Sequence, residues 1–82
     1  MKDERRKAYM VNMLPSMLRW LREREELTQE EVAARIGVGR TTYASWESGI
    51  KNPGPEGIAQ CAQFFHVSTD DLIFGIERRG MQ

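Results

Sequence analysis

The side chains best spaced to act together are Arg40, Thr41, Ala44, Ser45 and Ser48, which fall on one face of any helix formed there. A guanidinium at the start of such a row presents a planar fork of donors. That fork suits a bidentate contact with the O6 and N7 acceptors of guanine. The Thr41 or Ser45 hydroxyl suits a base edge and the Ala44 methyl suits a thymine methyl. The plainer reading of Arg40 is a solvated surface cation. Catalysis has less to draw on, because the chain holds one histidine, His66, and one cysteine, Cys61. No nucleophile, base and orienting group can be assembled from this inventory, so no enzyme is expected. A lone cysteine excludes an internal disulfide and a multi-thiolate metal site, and the carboxylates do not cluster at ligand spacing. No metal or other cofactor is expected.

The elements that must position this row read as short helices joined by tight turns. Leu14, Met17, Leu18 and Leu21 recur at helical spacing and predict a first helix over about 13–25, with Asn12 as its cap and Pro15 tolerated in its first turn. Thr28-Gln29-Glu30-Glu31 is a capping box, flanked by Leu27 and Val32 as a hydrophobic staple. The second helix then runs to Ile36 and stops at Gly37. A third runs from Arg40 to about Ser48-Gly49, followed by an Asn52-Pro53-Gly54 turn. A fourth, about 55–65, is expected to bury Ile58, Cys61, Ala62 and Phe65, with Gly57 a local weakness of about 1 kcal/mol. Ser68 with Asp70 and Asp71 starts a fifth.

Residues 29–48 are the informative stretch. Two helices that cross steeply through a short turn need a small residue at the crossing, which Ala33 supplies. They also need a residue that accepts positive φ in the turn, which Gly37 supplies. Val32, Ile36, Val38, Tyr43 and Trp46 fall where side chains point inward to hold the pair. The alternative is simply two packed core helices, but small residue, glycine and apolar positions agree in one register.

Leu27-Thr28-Gln29-Glu30-Glu31-Val32-Ala33, Gly37-Val38 and Trp46-Glu47-Ser48-Gly49, followed by Asn52-Pro53, resemble the lambda-repressor-like, Cro-type helix-turn-helix family. The resemblance covers roughly residues 14–75. It implies an all-α fold of five helices in which the second and third form the DNA-reading unit. It also implies that Gln29 contacts a phosphate, that Arg40, Thr41 and Ser45 face bases, and that Arg22 and Glu47 form a structural ion pair. Lys51 and Asn52 are left to meet the DNA backbone. The sequence departs from the family pattern in three places. Gly39 stands where a hydroxyl cap is usual, Ile50 occupies a position often basic or polar, and His66 replaces the glycine that ends the fourth helix. His66 is read as a left-handed cap rather than a proton switch.

At 82 residues the chain has room for one small domain and one small core. Twelve cationic side chains balance twelve anionic ones, which argues mildly against strong non-specific binding to nucleic acid. No apolar stretch is long enough for a membrane span or a signal segment, so a cytoplasmic protein is expected. Residues 1–13 read as an N-terminal arm or extension, 14–75 as the DNA-binding domain and 76–82 as a tail. The arm carries Lys2, Arg5, Arg6 and Lys7, suited either to following a phosphate backbone or to remaining a solvated leader. Tyr9, Met10, Val11 and Met13, and separately Phe64, Phe74 and Ile76, are candidate dimer contacts. Cys61, Tyr43 and Trp46 read as core, and Trp20 lies off the main apolar face. The expected function is a sequence-specific regulator of transcription, a repressor acting as a homodimer on a two-fold related site in double-stranded DNA. The rival is a protein-interaction module on the same fold, antitoxin-like or an adaptor.

Overall fold

The apolar periodicity of the sequence resolves into helices in a computed structural model that describes residues 13–75. Five helices lie among the described residues: α1 (Met13–Arg24), α2 (Gln29–Ile36), α3 (Arg40–Ser48), α4 (Gly54–Phe65) and α5 (Thr69–Phe74). α1 packs against α3 and α5, and α2 packs against α3 and α4, so α3 is held between the first two helices. No helix among the described residues is long and apolar enough to cross a membrane.

Each boundary has a local cause. Thr28 caps α2 with both halves of the capping box formed: Glu31 N–H donates to Thr28 Oγ1 at 3.0 Å, and Thr28 N–H donates to Glu31 Oε1 at 2.8 Å. Gly37 ends the helix at φ 83°, with Gly37 N–H and Val38 N–H both donating to the Ala33 carbonyl at 2.9 Å. Ser68 caps α5 by accepting from Asp71 N–H at 3.0 Å. Gly39 begins α3 with no side-chain cap, as its lack of a hydroxyl implies. His66 takes φ 60° and closes α4, the role expected of it. α1 ends one residue earlier than its expected bound. Glu26 at φ 60° closes it, and Leu27 N–H donates back to the Arg22 carbonyl at 3.1 Å. The Asn12 cap lies outside the described residues, as do Tyr9, Met10, Val11 and Ile76.

The core joins Leu14, Met17, Leu18 and Leu21 of α1 to Val32 and Ala33 of α2, Tyr43 and Trp46 of α3, Cys61, Ala62 and Phe65 of α4, and Leu72 of α5. Ile36 and Val38 are half-buried against it, and Trp20 is half-buried with the Arg24 guanidinium 5.0 Å from its ring centre. Burial pushes the Cys61 thiol up to about 12, which leaves it a packed apolar group at neutral pH. Ile58, expected in the core, is only half-buried. It lines an apolar groove of about 450 Å³ with Leu14, Pro55 and Ile73, beside Asn52.

Gly57 corrects the expectation drawn from helix propensity. A Cβ there would stand 2.7 Å from Pro53 Cβ and 3.2 Å from Trp46 Cη2, so the absent side chain is what lets α4 close on the indole beneath α3. Propensity alone gives Gly57→Ala a gain of about 1 kcal/mol. The packing reverses the sign, and chemical denaturation should show a loss of about 1–3 kcal/mol.

Candidate nucleic-acid interface

α3 divides its residues by helical period. Tyr43 and Trp46 point into the core, their ring centres 6.0 Å apart and edge to face. Arg40, Thr41, Thr42 and Ser48 are exposed, and Ala44 and Ser45 are half-buried. The structure therefore brings the sequence-predicted base-facing set, Arg40, Thr41, Ala44 and Ser45, onto the outward side of one helix. The small side chains leave its backbone open to close approach. Ser45 Oγ donates to the Thr42 carbonyl at 2.7 Å and Ser48 Oγ to the Ser45 carbonyl at 3.1 Å. With its proton committed inside the helix, Ser45 offers lone pairs, which suits an amino group on a base edge.

Behind this face lies the ion pair expected between Arg22 and Glu47. Arg22 Nε donates to Glu47 Oε2 at 2.7 Å and Nη2 to Oε1 at 3.0 Å, while Nη1 donates to the Leu27 carbonyl at 2.9 Å. The Arg22 side chain is 14% exposed and that of Glu47 4%. Gln29 belongs to the same cluster, its Nε2 donating to Glu47 Oε1 at 3.0 Å. The family resemblance implies a phosphate contact for Gln29 and gives no sign of this bond; one of its two amide hydrogens is committed to Glu47. Tyr43 brings its buried hydroxyl close to the same carboxylate without a well-formed hydrogen bond. Burial, and then the Glu47 charge, raise the phenol far above its ordinary range.

Lys51 and Asn52, the remaining backbone-contact candidates, are exposed in the loop that follows α3. That loop is anchored where Lys51 N–H donates to the Ser45 carbonyl at 3.2 Å. Gly49 turns the chain out of α3 at φ 81°. Ile50 is 78% exposed in the same loop, an apolar side chain at the position where the family resemblance implies a basic or polar one. Arg40 thus begins α3 and Lys51 lies in the loop just beyond its end.

The helix-turn-helix family model matches residues 18–72, which includes all of α2 and α3. The cryptic phage CTXphi transcriptional repressor RstR of Vibrio cholerae is 41% identical over 61 residues, 74% of this chain and 55% of the relative. The HTH-type transcriptional activator BcrR of Enterococcus faecalis is 40% identical over 60 residues, 73% of this chain and 29% of the relative. The HTH-type transcriptional regulator AnsR of Bacillus subtilis is 32% identical over 53 residues, 65% of this chain and 46% of the relative. The matched stretch spans about half of these relatives or less. No solved structure matches the chain.

The ion pair makes acid stability a direct readout of the site. Burial alone would raise the Glu47 carboxyl, but its bonds from Arg22 and Gln29, with the Tyr43 hydroxyl close by, outweigh that and hold it below the ordinary 4.5. A carboxyl depressed in the folded state stabilises fully above its unfolded pKa, and the contribution is lost as pH falls through the folded value. Glu31, lowered by its bond from the Thr28 backbone, acts in the same direction. Melting temperature should therefore fall as the pH drops below about 4.5. Glu47→Gln should cost roughly 3–5 kcal/mol at neutral pH and flatten that acid dependence, leaving the shallower part due to Glu31. A variant that melts like the parent at neutral pH would show the pair to be dispensable.

Proposed function

The chain belongs to the helix-turn-helix family, and on that premise we propose that it is a sequence-specific regulator of transcription that reads double-stranded DNA with α3. The observation that carries the reading is the small, polar, outward face of α3, headed by Arg40 and held rigid from behind by Tyr43, Trp46 and the Arg22–Glu47 pair. In this reading α3 lies in the major groove with Arg40 bidentate to a guanine, Thr41 and Ser45 on neighbouring base edges and the Ala44 methyl against a thymine. Gln29, Lys51 and Asn52 fix position on the phosphates and carry no sequence information. The chain works in the cytoplasm by occupying its site, as a repressor, and catalyses no reaction.

A nine-residue helix spans too little of the groove to define a long site alone. Two copies related by a two-fold axis double the sequence read. The apolar groove between α4 and α5 supports a second copy as its occupant. Asn52 lines it, so a contact there joins directly to the loop at the end of α3 and sets the spacing of the two reading helices. Of the other dimer candidates, Phe74 is 39% exposed, whereas Phe64 is half-buried against Phe65 and Met13 is half-buried at the start of α1.

Selection of bound duplexes from a random pool at near-physiological salt should enrich an inverted repeat with guanine at matched positions in both halves. Failure to enrich any motif would overturn the reading and favour a protein-interaction module. On the selected site Arg40→Ala should reduce discrimination between bases by about 1–3 kcal/mol, measured by competition with singly substituted duplexes. Lys51→Ala should weaken all sequences alike and lower the salt slope by about one.

A further inference from the structure

Beside the reading face lies a polar cleft of about 160 Å³, walled by α1, α2 and α3. Its lining contains Arg22, Gln29 and Glu47, the members of the half-buried ion-pair cluster, together with Ala44 and Ser48 of α3 and Arg19 of α1. The charges of Arg22 and Glu47 cancel against each other within the cluster. The cation left on the cleft is Arg19, whose side chain is 66% exposed. Its ion-pair partner is Glu23, one turn along the same helix, with Nε to Oε2 at 3.5 Å and the carboxylate side chain 60% exposed. An exposed pair of this kind holds weakly and exchanges readily for another anion. Ala44 and Ser48 are small, so nothing bulky on α3 stands between the cleft and an approaching group. Because Ala44 also belongs to the base-facing row, whatever lies along α3 passes the mouth of the cleft.

We propose that Arg19 is a DNA backbone contact, and that Glu23 holds its guanidinium until a phosphodiester displaces it. The inference rests on the proposed reading of DNA by α3. With α3 in the major groove, a phosphate strand borders the helix on each side. Lys51 and Asn52 reach backbone from the loop after α3, and Arg19 reaches it from α1. The first helix is then a DNA-contacting element as well as a support, and contacts extend beyond residues 29–48. Arg19 carries no base selectivity, because a phosphate is the same at every position.

The test measures binding of the full chain to its selected duplex and to a scrambled duplex across a range of salt concentrations. Arg19→Ala should flatten the dependence of log affinity on log salt by about 0.9, the value for one phosphate contact. It should weaken both duplexes by the same factor while the melting temperature stays at the parent value. Arg19→Lys should restore most of the slope, and Glu23→Gln should tighten both duplexes by freeing the guanidinium. An unchanged slope in Arg19→Ala, or a loss confined to the selected duplex, overturns the assignment. Absence of gain in Glu23→Gln overturns the part given to Glu23. If the parent chain binds no duplex at any salt, it is the reading by α3 that fails; if the parent binds and Arg19→Ala matches it, the failure belongs to this inference alone.

Discussion

The Glu47 carboxylate receives hydrogens from Arg22 Nε and Nη2 and from the Gln29 amide, while the same guanidinium donates its Nη1 to the Leu27 carbonyl. α1, α2, the turn between them and the last turn of α3 therefore converge on one nearly buried charge. Taking such a charge out of water costs several kcal/mol, repaid only when its lone pairs are all met in good geometry. The cluster thus penalises any other angle of α3 more than it stabilises the fold as a whole. Arginine is required at its centre, because a lysine ammonium could not span two carboxylate oxygens and a carbonyl from one rigid plane. The orientation of the outward row, from Arg40 to Ser48, is inherited from this arrangement.

Apolar packing sets the same helix from the other side. Tyr43 and Trp46 are sunk in the core with Ala33, and Gly57 lets α4 approach the indole. A domain this small has little surplus stability, so each close approach matters to how firmly α3 is seated. The outer residues of α3 make few demands in return. Thr41, Ala44, Ser45 and Ser48 are small and mostly polar, so they are free to be chosen for what they meet. Helical period separates the two tasks within nine residues.

Much of this was legible in the sequence because it is written in local signals. The capping box at Thr28, the glycine at 37, the serine at 68 and the apolar repeats of α1 and α4 each act over a few residues and placed four helices, and Gly49 marked the end of α3. The family resemblance added the Arg22–Glu47 pair, which no local pattern announces. What escaped depends on close contact between distant segments. Gly57 read as a weak point because its neighbours in space, Trp46 and Pro53, cannot be inferred from helix propensity. Ile58 sits on the apolar stripe of α4, yet the chain closes over that stripe incompletely, and the groove left there follows from how α1 and α5 pack. Glu26 in a left-handed conformation has no compositional signature, since glycine or asparagine is the usual residue there. The cleft carrying Arg19 needs three helices in place before it exists.

The balance of charge also takes on a different meaning once the carboxylates are located. Glu47 is consumed by Arg22, Glu31 by the cap of α2, Glu23 lies against Arg19, and Asp70 and Asp71 occupy the first turn of α5. These anions serve helix ends and ion pairs, where a negative charge near an N-terminus is stabilising. Arg40 stands exposed at the start of α3 and Lys51 in the loop that follows it. A neutral total is thus compatible with a locally cationic reading edge. It also bears on how the proposed regulator discriminates. With no net positive charge, the long-range attraction that binds basic proteins to any DNA is small. Affinity must then come from contacts made only when α3 is seated and the phosphates lie within reach of fixed donors. Such a protein gives up strength on random sequence, where most of a genome competes for it, and keeps what depends on fit.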